Sequence, residues 1–373
     1  MIRVNKKLTN PRVSFTPTFY KKAYKSYKAG QFGELIELMR EATTDSHVSG
    51  CLIGRRAGFQ RDWSVVPYDP EKEADQEVAL FYQSVFSELD TRLLFKKIHE
   101  SALFTFSVID FTWDVVDGRQ IPVDFKAYQQ KYFKYDEDGV LRIDFGKRLE
   151  EIPEETLVCE FREQPLMLPV LRDHILKNFG LESWASFLET FGEAIIIGKY
   201  PMSAGEDFKT AINDAVNAIA ASSRGTMPDG ASVEMLETNR STGDHRRFVE
   251  QADNAISISL LGHANAVSET TGAHFGENLA PFKVRKELAI DDISYIMRHL
   301  NRLIRIIHTR NFTDTRFPRF QIDTTEPINV SERLDVIDSA YDKGWIVDPE
   351  EFRKLGLKVH PDQEVMQREQ LPL

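Results

Sequence analysis

Apolar residues recur at three- and four-residue steps along most of the chain and alternate at two-residue steps in one block, which predicts long helices around a β-rich insert. Leu35, Ile36, Leu38 and Met39 predict a helix from Phe32 to about Ser46, followed by a helical stretch over Val48 to Phe59. A strand at Trp63–Val66 follows, and Pro67 ends it. Ala74, Val78, Phe81, Tyr82 and Val85 mark a helix from Glu73 to Leu89, and another spans Leu93–Leu103. Between residues 104 and 145 the period falls to two. Phe106–Trp113 and Leu141–Phe145 are rich in β-branched and aromatic residues, with Asp117-Gly118 and Asp138-Gly139 as turns, so the block reads as a β-meander closed by a strand at Thr156–Phe161. Pro165 and Pro169 then break the chain before a long helical run, Val170 to Phe191.

Strands at Ala194–Lys199 and Ser232–Glu237 flank a helix at Glu206–Ala221, making a small αβ unit between longer helices. After Gly243 comes a helix through about Leu261. Gly262–Gly276 has no period and holds three Gly, three Ala, two Thr and one Ser, which predicts a loop. The strongest helical pattern runs from Asn278 to Arg310, with Ile290, Ile293, Met297, Leu300, Ile304 and Ile307 on one stripe and Pro281 in the first turn. A strand at Arg319–Asp323 and a helix at Val330–Lys343 lead to a charged tail. Residues 1–30 carry Lys6, Lys7, Arg12, Lys21, Lys22, Lys25 and Lys28 among tyrosines and are broken by Pro11 and Pro17, so they read as an arm outside the core.

Composition narrows the classes. The 373 residues are 42% hydrophobic, enough for a real core and far from a disordered composition. A formal charge of −11 is the reverse of the basic footprint of a protein that clamps nucleic acid. Cys51 and Cys159 form neither a disulfide framework nor a zinc ribbon, which fits a reducing compartment. The start has charge without a following apolar stretch, and no run of about 18 apolar residues occurs, so a soluble cytoplasmic protein with no membrane contact is expected.

Candidate chemistry is sparse. Gly192 to Gly198-Lys199 imitates a phosphate-binding loop, but five residues intervene where four are needed, Tyr200 replaces the magnesium-binding hydroxyl, and Ala-Ile-Ile-Ile reads better as a buried strand. None of the nine histidines forms a His-Glu-x-x-His pair, and His263 and His274 have no nearby cysteines or dense carboxylates, so no metal or other cofactor is expected. Asp291 and Asp292 read as acids on the exposed side of the long helix. A metal-dependent DNA-processing enzyme with these two aspartates among its ligands is the alternative from another class. Arg298, Arg302 and Arg305 fall at i, i+4 and i+7 opposite the apolar stripe; a solvated, salt-bridged face and a basic band touching phosphates or a neighbouring subunit both fit. Tyr20, Tyr24 and Tyr27 interleave the Lys21–Lys28 cluster, which suits either base stacking or a sticky arm for another protein.

Trp184-Ala-Ser-Phe187-Leu-Glu-Thr-Phe191-Gly192, followed by Gly198-Lys199-Tyr200-Pro201, resembles the central signature of the Mu-like prophage portal proteins. Residues 45–56 leading to Trp63–Pro67, Lys131–Gly139 and Ile256–Gly262 are similar to further family segments in the same order, so the resemblance spans roughly residues 34–325. It implies an α+β portal fold with a wing, a two-helix stem, a clip and a crown, and a ring of about twelve copies at one vertex of a tailed-phage head. On this resemblance residues 1–30 are an N-terminal arm and 31–169 and 279–325 the wing; 170–192 and 244–261 are the stem helices, and 193–243 the clip. Residues 262–278 are the tunnel loop, with His263, Asn265, Ser268, Thr271 and His274, and 326–373 a reduced crown or tail. His263-Ala-Asn-Ala stands where the family has Gln-Thr-Leu-Thr.

The implied partners are the terminase large subunit, head-completion or connector proteins, the major capsid or a scaffold protein, and duplex DNA passing without sequence specificity. Assembly is expected in the host cytoplasm, ending in the virion, with no enzymatic activity in the chain itself. A ring-forming head-assembly protein without a motor partner is a further alternative. A ring of about twelve such subunits carries about −132 formal charge, which repels DNA from a channel wall and lets it slide.

Overall fold

The computed structural model describes residues 2–4, 12–161, 164–191, 195–199, 205–222, 231–236, 243–264 and 279–324, with a few isolated positions between and beyond these. Residues 1–322 form one compact unit and residues 323–373 a second. The expected helix at Val330–Lys343 and the crown region fall largely outside the described residues.

The first unit begins with α1 (Pro17–Lys28), α2 (Gly33–Ala42), α3 (Ser46–Ala57), β1 (Trp63–Val66), α4 (Glu73–Glu88) and α5 (Thr91–Phe104). The expected arm is corrected here, because α1 is a capped helix that packs on the core. Thr16 accepts a hydrogen bond from the Phe19 amide, and Pro17 takes the first helical position, where it has no amide hydrogen to lose. Ala23 is fully buried, and Phe19, Tyr20, Tyr24 and Tyr27 pack against the neighbouring cluster. The tyrosines stack on one another at 5.9 Å and 6.4 Å, which takes up the faces they turn to each other.

β2 (Phe106–Val116) and β3 (Arg119–Tyr128) form a hairpin around Asp117-Gly118, both residues at positive φ as a two-residue turn of this hand requires. β7 (Leu157–Glu160) pairs with the other edge of β2. The meander divides at this point, since β4 (Phe133–Tyr135), β5 (Leu141–Asp144) and β6 (Leu149–Glu150) form a separate three-stranded sheet. The break is a 3-10 turn at Gln130–Tyr132. The Gln130 amide donates to the Phe106 carbonyl at 2.7 Å and accepts from Arg40 at 2.7 Å, which ties the turn to β2 and α2.

α6 (Met167–Phe191) starts earlier than expected and holds Pro169 in its first turn, where an amide would have no helical partner. β8 (Ile195–Lys199), α7 (Glu206–Ser222), β9 (Ser232–Leu236), α8 (Gly243–Leu261), α9 (Leu279–Asn311) and β10 (Arg319–Ile322) complete the unit. β8 and β9 pair antiparallel, and β10 returns to pair with β1, where Trp63 stacks on Phe320 at 5.0 Å.

Two hydrophobic clusters fill the unit. One joins α1, α2, α3, β4, β5, the first part of α6 and the end of α8. The other joins α4, α5, β1, β10, parts of β2 and β7, and α9. The 33 residues of α9 reach roughly 50 Å at 1.5 Å per residue and bury Ala289, Ile293, Ile296, Leu300, Leu303, Ile304 and Ile307 on one stripe. Both cysteines are buried and free.

Candidate functional site

α6 and α8 are the two arms of an antiparallel pair, with the αβ unit at its turn. Moving away from that turn, Phe187 faces His245 with ring centres 5.6 Å apart. Gly180 lies under the Phe248 ring, which a Cβ there would meet at 2.6 Å. Lys177 then reaches Asp253 at 2.8 Å and, on α3's side, Asp45 at 2.8 Å. The Asp45 carboxylate also caps α3 by accepting from the His47 and Val48 amides. The His47 ring contacts Ser257 at 2.8 Å, completing a polar seam between α3 and the pair. Burial pulls the Lys177 ammonium down, but Asp253 and Asp45 outweigh it and hold the group above the ordinary lysine range. His174, one turn earlier, is driven the other way by burial, so the seam's fixed cation is the lysine.

The αβ unit packs α7 against the β8–β9 ribbon. Gly198 is where the helix comes closest: a Cβ would lie 2.6 Å from Ile212 Cγ2 and 3.0 Å from Val216 Cγ2. The Gly198-Lys199 element that imitates a phosphate loop is therefore strand, with its glycine used for packing. Gly198→Ala is expected to cost about 1–3 kcal/mol by overpacking. Limited proteolysis should show the loss as faster cleavage within 195–236, with the rest of the chain unaffected.

Below the pair, α8 ends against α9 at a buried ionic knot. Arg55 of α3 donates to both carboxylate oxygens of Asp292, at 2.8 Å and 3.0 Å, and to the Leu260 carbonyl at 2.7 Å. The last bond satisfies one of the carbonyls that the end of α8 leaves open. His99 Nε2 stands 3.4 Å from the same carboxylate. Burial pushes the Asp292 carboxyl up, but His99 and Arg55 prevail and hold it below the ordinary range. Gly262 follows with φ +82°, ending α8 beside Val284 of α9. One guanidinium thus fixes the chain where it leaves α8 and the helix to which it returns.

Asp292 is the clearest correction among the expected positions. It is buried and bound on both oxygens, whereas Asp291 beside it is exposed, so the two do not form a ligand pair. No cluster of three potential metal ligands occurs among the described residues. Arg298 and Arg302 line a cavity of about 800 Å³ with Tyr295, His299, Asp291 and Glu160, and Arg302 donates to the Val158 carbonyl at 3.1 Å. Arg305 lies away from it, 5.7 Å over the Phe317 ring. His299 is pushed down to about 4 by burial and then by Arg302 and Arg298.

Among the signature residues, Trp184 and Phe187 are half-buried on α6, Phe191 ends that helix, Gly198 and Lys199 end β8, and Pro201 is exposed. Gly192 and Tyr200 lie outside the described residues, as do Asn265, Ser268, Thr271 and His274; His263 is described and half-buried just after Gly262. Arg55, His99, Lys177 and Asp253 were not singled out from the sequence. Asp292 did leave a signal, since it falls three residues after Ala289 and four before Ile296 on the buried stripe.

No described helix is long and apolar enough to cross a membrane. The architecture recurs in a chain from the virion of a native gene transfer agent particle, with a TM-score of 0.60 at 11% identity, covering 91% of this chain and 100% of that one. It recurs also in a chain from the neck of the native particle computed with C12 symmetry, with a TM-score of 0.52 at 11% identity over 94% and 96%. These likenesses show a shared α+β fold. A family model described as the portal protein of Mu bacteriophage matches residues 36–355, and the chain belongs to that family. The Mu-like prophage FluMu protein gp29 of Haemophilus influenzae is 27% identical over 372 aligned positions, 90% of this chain and 69% of that protein. The portal protein of Escherichia phage Mu is 27% identical over 171 positions, 44% of this chain and 33% of its own length.

Proposed function

We propose that the chain assembles into a closed ring of about twelve copies that forms the DNA conduit at one vertex of a phage head. Family membership supports the portal role, and the C12 symmetry of the neck that holds a chain of the same fold supports the copy number. The observation that carries the ring is the outer part of α6. Up to Ile175 its apolar residues enter the core; beyond it Leu176, Phe179, Leu181 and Leu188 are exposed, Phe179 to 63%. A helix apolar around its circumference needs cover on every side, and α8 covers one. The next copy supplies the rest.

In this reading α6 and α8 are the stem, the β8–α7–β9 unit is the clip, and residues 262–278 are the tunnel loop between α8 and α9. The clip presents the surface for the terminase large subunit during packaging and for head-completion proteins afterwards, and the wing meets the capsid or scaffold. The chain has no catalytic activity of its own; it assembles in the host cytoplasm and ends in the virion. The acidic net charge keeps duplex DNA sliding instead of bound.

Rotationally averaged negative-stain images of the purified chain test the ring directly. Phe179→Asp with Leu188→Asp should leave the circular dichroism spectrum unchanged and shift the protein to monomer-sized species, because both side chains face solvent in the single subunit. Wild-type protein that stays monomeric across salt and crowding conditions would sink the proposal, as would rings formed by the double variant at wild-type yield.

A further inference from the structure

Each copy carries −11, so closing a ring brings like-charged bodies together, and the contact surfaces must offset that repulsion locally. A ring is also built from two different patches on each copy, one mating with the other on the next. Two charged helix rows of opposite sign meet both requirements. On α1, Lys21, Lys25 and Lys28 stand at i, i+4 and i+7, all exposed, on a helix segment that contains no acidic residue. Lys22 is engaged by Glu34 at 2.9 Å, but these three have no carboxylate partner among the described residues; Lys28 rests over the Tyr24 ring at 5.5 Å. The stacked tyrosines and buried Ala23 beneath hold the row rigid.

On α4, Glu73, Glu77, Leu80, Ser84 and Glu88 follow at steps of four, three, four and four, which places them on one face. All five are exposed, Leu80 to 69%, while Ala79, Tyr82, Val85 and Phe86 fill the core behind. The three glutamates have no cationic partner among the described residues. α1 stands over one hydrophobic cluster and α4 over the other.

We propose that neighbouring copies mate through these rows, the lysines of α1 on one copy seated against the glutamates of α4 on the next, with Leu80 covered in the contact. The proposal rests on the ring reading above. Phosphates of the DNA are the other possible mates for the lysines, but they leave the acidic row and the bare leucine without a role. The Lys21/Lys25 and Glu73/Glu77 pairs share the same four-residue spacing, as two facing helices need.

The full chain tests this through two variants. Lys21→Glu, Lys25→Glu and Lys28→Glu makes both rows acidic; Glu73→Lys, Glu77→Lys and Glu88→Lys makes both basic. Each alone should keep the wild-type circular dichroism spectrum and lose ring formation about tenfold or more by native mass spectrometry. An equimolar mixture should recover rings in which the two variants alternate. The proposal is overturned if either variant alone forms rings at wild-type yield, if the mixture of two folded variants forms none, or if the lysine variant keeps its rings and loses only DNA binding. Wild-type protein that forms no ring defeats the ring reading itself, whereas wild-type rings with indifferent variants defeat only this contact.

Discussion

Arg55→Ala is expected to lower the free energy of unfolding by about 3–5 kcal/mol, the cost of stranding one partner of a buried ion pair. Both side chains are 8% exposed. The substitution would leave the Asp292 carboxylate with only His99 nearby and the Leu260 carbonyl without its donor. Urea denaturation measures the effect, and a loss below about 1 kcal/mol would mean that water reaches the pair. Acid adds an independent check on the sign. Asp292 has its folded pKa below the ordinary value of 3.8, so its contribution is complete above that value and disappears as pH falls through the lower folded one. The gap between wild type and Arg55→Ala should therefore be full near neutrality and shrink in strong acid. A gap constant across that range would remove the carboxylate from the explanation.

What the sequence carried and what it did not divide along physical lines. β1 was legible to the residue and α8 nearly so, with only its start one residue off, because their apolar positions follow one period between clear breaks: Pro67 after one, Gly262 after the other. α9 was legible from its stripe. α1 was not, because Pro17 reads as a break where it serves as a helix start and four lysines crowd the segment, although Tyr20, Ala23, Tyr24 and Tyr27 fall at helical steps on its inward face. The division of the meander was hidden for another reason: a three-residue turn anchored by Gln130 has no periodicity to detect. The ionic knot was the least legible. Its partners lie 237 residues apart, and no local rule selects Arg55 from among the other basic residues of the chain. The stem, clip and loop assignments came from segments such as Trp184–Gly192 and Gly198–Pro201, whose resemblance to portal proteins gives family and order but no side-chain contacts.

Gly262→Ala is expected to cost about 2–4 kcal/mol, from two causes that can be separated. At φ +82° an L-residue is strained, and a Cβ built there would come 2.4 Å from Val284 Cγ1 and 3.4 Å from Leu288 Cδ1. Adding Val284→Ala in the same chain removes the closest clash but not the backbone strain. The double variant should therefore be more stable than the sum of the two single changes predicts, by about 1 kcal/mol or more. Thermal or urea unfolding of the four chains gives this coupling. In the conduit reading the same glycine sets where the chain departs for the tunnel loop, so Gly262→Ala should slow DNA packaging even at temperatures where rings assemble normally. Stability equal to wild type would mean that α8 can end in another conformation, and the close approach to α9 would then have no part in holding the loop.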